Sequence, residues 1–167
     1  MGSEMCIRDR LSLAATGCAL IGGGGDPDPR WADYKSWTMV NNKPITGDHT
    51  NFLGGLHEGS KGVRQVYVNS VGEEASLGTA PYSYPVGTVI LKEQYSSQSA
   101  LDSGRNPGIT VMVKVSDDAA NPAENWAWSR GYGREARTTD GFCSGCHTIA
   151  AGSDYAFSNG DTLADFR

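Results

Sequence analysis

The sequence predicts a mainly β, α+β fold: an antiparallel β-sheet with a few short helices. Three observations predict it. Four runs are rich in β-branched and aromatic residues: VRQVYVN (63–69), YPVGTVILKEQY (84–95), GITVMVKV (108–115) and NWAWSR (125–130). The segments joining the last three runs are too short for helical crossovers, so neighbouring strands should run antiparallel. The 22 glycines and 7 prolines suit many turns between short elements.

Taken in order, the chain opens on a segment to be set apart from the fold. LSLAATGCALI (11–21) is a short apolar run behind Arg8 and Arg10, the layout of an export signal. ATGC, ending at Cys18, resembles a bacterial lipobox, whose cysteine is lipidated after cleavage. Residues 22–25 (GGGG) and 26–29 (DPDP) then read as a tether and a stiff spacer. MCIRDR (5–10) resembles translated sequencing-adapter sequence rather than native protein. Residues 1–29 are therefore assigned to a signal or lipoprotein-like segment and linker, and residues 30–167 to one domain. In that domain Trp31, Tyr34 and Trp37 recur at helical spacing, and the polar, glycine-rich residues 41–62 read as loop. After the four strands, with a turn at Asp117 to Pro122, a helix should begin near Cys143. The tail SDYAFSNGDTLADF should then cap the sheet or the edge of a bound cofactor.

Composition narrows the function. With 38% hydrophobic and 20% charged residues, the 167-residue chain suits one small domain with a modest core. A net charge of −5 and a pI near 5.1, with no basic stripe, argue against a nucleic-acid partner. No run approaches the roughly 20 apolar residues a spanning helix needs. Since Cys6 and Cys18 precede the domain, only Cys143 and Cys146 remain in it, so no disulfide framework is expected.

Those two cysteines carry the strongest signal. GFCSGCHTIA (141–150) contains Cys-x-x-Cys-His, which reads as a c-type haem attachment site. On one helical turn, positions i and i+3 share a face, so Cys143 and Cys146 can both form thioethers with one haem. His147, next along the turn, can offer an imidazole nitrogen to the iron as proximal ligand. A zinc site would need four ligands, and only His49 and His57 remain, in a distant loop. A thioredoxin-type dithiol would need a βαβ unit, which the strand pattern lacks. An electron-transfer cytochrome closes its sixth position with methionine or histidine, and neither follows His147. Met39 and Met112 read as packing residues, so an open distal site that binds small molecules is expected.

The order of WTMVN (37–41), VRQVYVN, PVGTVILKE (85–93), VMVKV (111–115), NWAWS (125–129), CSGCH (143–147) and DYAF (154–157) resembles the cytochrome P-460 family. The likeness runs from about Trp37 to Phe157. Only the haem motif is specific alone; the rest is specific by order and spacing. The resemblance implies an antiparallel β fold, usually dimeric, with one haem c near the C-terminal motif and five-coordinate iron. Members oxidise hydroxylamine or, in the cytochrome c′-beta branch, bind nitric oxide and related gases.

In the hydroxylamine-oxidising members a lysine is covalently bonded to the haem, and Lys92 in GTVILKE matches it. Lys114 in VMVKV is the second candidate. Glu135, eight residues before Cys143, approximately matches the family's distal acid, which moves protons; Asp140 could substitute. Without the resemblance, both lysines would read as solvated strand residues and both acids as surface carboxylates. Trp126 and Trp128 fall on one strand face as packing residues, a place from which they could meet the porphyrin. Three functions follow: hydroxylamine oxidation, nitric oxide binding, and plain electron transfer, which the missing axial methionine disfavours. The expected partners are a small nitrogen-oxide or hydroxylamine-type ligand, a redox-partner cytochrome and a second copy of the chain. The expected location is the periplasm or another exported site, with Cys18 as the candidate lipid anchor.

Overall fold

The computed structural model describes residues 26–48, 50 and 61–167. The expectations for MCIRDR, the signal-like run, Cys18, His49 and His57 lie outside the described residues. Six strands form one antiparallel sheet: β1 (Thr38–Met39), β2 (Ile45–Thr46), β3 (Val63–Val68), β4 (Val89–Tyr95), β5 (Gly108–Lys114) and β6 (Trp126–Ser129). The order is β1-β3-β4-β5-β6; β1 pairs with the end of β3, at Tyr67 and Val68, and β2 with its start, at Val63 and Arg64. Three short α-helices, α1 (Glu73–Leu77), α2 (Gln98–Asp102) and α3 (Gly141–His147), and several 3-10 turns complete the regular structure of the described residues.

Several local expectations are corrected. The aromatic spacing at 31–37 resolves into a single 3-10 turn, Tyr34–Ser36, and Met39 lies on β1 rather than a helix. A three-residue recurrence fits a 3-10 turn as well as an α-helix. Residues 41–62, expected as loop throughout, contain β2. Two helices of five residues, α1 and α2, occupy the connections before and after β4, where no helix was expected. The second strand begins at Val89, not Tyr84, because Gly87 turns the chain at φ +93°, a conformation that glycine adopts without a Cβ penalty.

Side chains alternate between the two faces of a strand, and the pairing register sorts them. Arg64 and Gln94 form one row across β3 and β4, then Val66, Lys92 and Thr110, then Val68, Ile90, Met112 and Trp128. This face carries a core joined by Tyr84, Trp126, Ala156 and Leu163. The opposite face buries Tyr67, Val89, Leu91, Val111 and Val113 beneath Trp31 and Tyr34. Trp31 is held there by its indole N–H, which donates to the Tyr132 carbonyl at 2.8 Å. With both faces covered, β4 is buried at six of its seven positions. No helix among the described residues is long and apolar enough to cross a membrane.

Candidate functional site

Helix α3 begins where the Asp140 carboxylate accepts the Cys143 N–H at 3.2 Å, an N-cap of the usual kind. Seven residues with glycines at 141 and 145 make a weak helix by propensity, and none of the seven is fully buried. It lies against β6 and leaves Cys143, Cys146 and His147 half-buried on one cavity wall. The cavity has a volume of about 350 Å³, within the usual range of small-molecule sites. Ile90, Met112, Trp128, Phe157 and Leu163 supply apolar walls, and Lys61, Arg64, Lys92 and Arg130 supply cations.

His147 is tightly placed. Its ring lies 4.4 Å from that of Trp128 and 5.0 Å from that of Phe157. Nδ1 stands 2.6 Å from the Tyr155 carbonyl oxygen, so the proton belongs on Nδ1 and the lone pair on Nε2. Burial lowers its pKa to about 4, against a smaller opposing effect of the Tyr155 hydrogen bond. The imidazole is therefore neutral at neutral pH, the form that ligates a metal. Burial also pushes the Cys143 thiol up to about 11, and the Asp140 carboxylate adds to the rise. Such a thiol is protonated at neutral pH. Among the described residues, no three His, Cys, Asp or Glu side chains are grouped so as to hold a metal ion.

Lys92 shares this cavity. Its pKa falls to about 8, first through burial and then through the like charges of Arg64 and Lys61; the two cysteines act weakly in the other direction. Lys114, the second lysine candidate, is elsewhere. Its amine is buried and bound to both oxygens of Asp154 at 2.7 and 2.8 Å, and it does not line the cavity.

Glu135 is not brought to the cavity either. It is exposed, ion-paired with Arg137 at 3.4 Å, and lines a second hollow of about 310 Å³. Asp140 caps α3 and meets Arg130 at 3.0 Å, again outside the first cavity. The cause is the bridge between Trp128 and Arg137, whose backbones exchange two 2.9 Å hydrogen bonds. It folds residues 130–140 back along the free edge of β6. No Asp or Glu lines the first cavity among the described residues.

The Cytochrome P460 family model matches residues 31–158. The chain belongs to the cytochrome P460 family. Among curated proteins, none matches the chain. Family membership makes it a c-type cytochrome with a haem cofactor, and the cavity fits that group. Both motif cysteines are free and point to one apolar chamber. The Trp128 indole N–H on its wall is buried without a hydrogen-bond partner in the protein, a donor left for an acceptor from outside the chain. Arg64, Lys61, Tyr155 and Phe157 are the site residues that sequence reasoning missed. Arg64 alone left a trace, as a charge in phase with Val66 and Val68 on an otherwise apolar strand face.

Proposed function

We propose that this protein is an exported monohaem cytochrome that oxidises hydroxylamine at an open distal site. The carrying observation is Lys92. It lines the same cavity as Cys143, Cys146 and His147, and burial with two neighbouring cations holds its pKa near 8. An amine that is partly neutral at ordinary pH is a nucleophile, as a lysine-linked haem requires. Cys143 and Cys146 would hold the porphyrin through thioethers, and His147 would approach the iron through Nε2. Bound there, haem supplies the redox chemistry, passing electrons from the small ligand to a partner protein.

The chain's own residues bind, orient and exclude water. Trp128 and Phe157 fix the imidazole plane. Ile90 and Met112 keep the chamber apolar, and Thr110 adds a polar group beside Lys92 in its row of the sheet. The site is expected in a periplasm, served by a redox-partner cytochrome, with the chain as a homodimer and Cys18 as a candidate lipid anchor.

A second reading is favoured by one observation. Glu135 lies outside the cavity, so no described carboxylate stands ready to take the protons of hydroxylamine, and an apolar chamber suits reversible nitric oxide binding. Peptide mass spectrometry of the holo-protein separates the two. The oxidase reading expects the Lys92 peptide to remain joined to the haem peptide of Cys143 and Cys146. Clean separation of those peptides would overturn it in favour of gas binding.

A further inference from the structure

Two consecutive residues just after the motif helix are left-handed, and neither is glycine: Asp154 at φ +50° and Tyr155 at φ +63°. Aspartate tolerates that region because its short side chain can bond locally, whereas tyrosine has no such relief. Backbone of this kind persists only where surrounding structure holds it, and it gathers at functional sites. Here the holding group is visible. The Asp154 carboxylate accepts the Lys114 amine at both oxygens, at 2.7 and 2.8 Å, and accepts the Tyr84 N–H at 2.8 Å. Lys114 is 1% exposed at its side chain and sits 5.3 Å over the Trp126 ring, and among the described residues its one other acidic partner is Asp117 at 3.8 Å. A cation so buried depends on its partner.

What the turn delivers is the Tyr155 carbonyl, 2.6 Å from His147 Nδ1, and two residues later the Phe157 ring against the same imidazole. We propose that the buried Lys114–Asp154 ion pair is the positioning element for His147. By clamping the left-handed turn to β5, it fixes the carbonyl that sets the ring's tautomer, rotation and donor strength. The inference rests on reading His147 as the iron ligand. Hydrogen bonds to the second nitrogen of a ligating histidine raise its basicity and orient it, and their loss commonly costs tenfold or more in function. Lys114 and Asp154 then act on the iron through His147 without touching it.

The test uses mature holo-protein carrying Lys114→Met together with Asp154→Asn. This pair removes both charges at once, and asparagine still tolerates the left-handed region. The readout is the iron–imidazole stretching band of the reduced protein by resonance Raman, with the reduction potential beside it. The band should move to lower frequency and broaden, the potential should rise, and turnover should fall about tenfold. A folded variant with the wild-type band and potential would overturn the proposal and leave the ion pair a staple for the tail.

A second variant, Tyr155→Gly, keeps the ion pair and relieves the backbone. Its band should stay at the wild-type position; a shift would show that tyrosine packing, not the ion pair, places the carbonyl, and would equally overturn the idea. If the wild-type band fails to respond to ¹⁵N-histidine labelling, the ligand assignment itself falls, and this proposal with it.

Discussion

Lys92 and Glu93 are neighbours in the chain and opposites in the fold. Lys92 faces the cavity with cations nearby and no carboxylate among the described residues of the wall. Glu93, on the other face, is fully buried and satisfied by the protein itself. The hydroxyl of Tyr34 donates to it at 2.7 Å, that of Tyr95 at 3.0 Å, and that of Tyr67 more weakly at 3.4 Å; the Lys35 amine closes the set. Burial raises all three phenols, that of Tyr67 to about 12, and the shared carboxylate adds to the rise in each. One face of the sheet is thus finished by its own side chains, while the other pairs its core with a cavity that leaves room for a guest. The difference teaches where the protein is built for stability and where for binding.

Three substitutions would break or sharpen that contrast. Glu93→Ala leaves buried hydroxyls without their acceptor and should destabilise the fold by about 4 kcal/mol. That corresponds to a melting temperature lower by on the order of 10 °C, checked by thermal denaturation; a change under about 1 kcal/mol would mean the outer cluster is not the anchor.

Lys92→Met should do the reverse in protein without haem. The folded pKa near 8 lies below the ordinary lysine value of 10.5. Below pH 8 both states are protonated, and the folded form carries the whole cost of desolvation. Between pH 8 and 10.5 only the unfolded chain keeps the proton, so wild-type stability rises with pH there. The variant's advantage should therefore reach at most about 3 kcal/mol below pH 8 and vanish toward pH 10.5, as followed by urea unfolding at several pH values.

Glu135→Gln should have the smallest effect, within about 0.5 kcal/mol in stability and with hydroxylamine turnover unchanged. A hundredfold fall in turnover, the scale of a lost general base, would return Glu135 to the mechanism.

The strand pattern was readable where composition alone decides. VRQVYV and GITVMVK became β3 and β5 almost as expected, and Cys143, Cys146 and His147 share a cavity with Lys92 as their spacing and the resemblance implied. What escaped depends on contacts distant in sequence. β4 is covered on both sides, so its residues do not alternate between apolar and polar, and nothing local says that Lys92 and not Glu93 looks into the cavity. Glu135 stands at the expected distance from Cys143, yet the pairing of Arg137 with Trp128 turns its segment outward. Lys114 resembles Lys92 in local sequence, but the tail delivers Asp154 to it across 40 residues.

The order of elements along the chain also has a bearing on biogenesis. All six strands end by Ser129, and the weak helix that carries the attachment motif starts only at Gly141. Chains emerge N-terminus first, and earlier parts fold as they appear. If Cys143 and Cys146 carry the haem as proposed, the strands can pair before Cys143 is presented to whatever machinery attaches it. On that reading haem attachment would be a late step of maturation, and the segment that brings Ala156 and Leu163 to the core follows α3 in the chain, so the cavity face would be completed only after the motif has emerged.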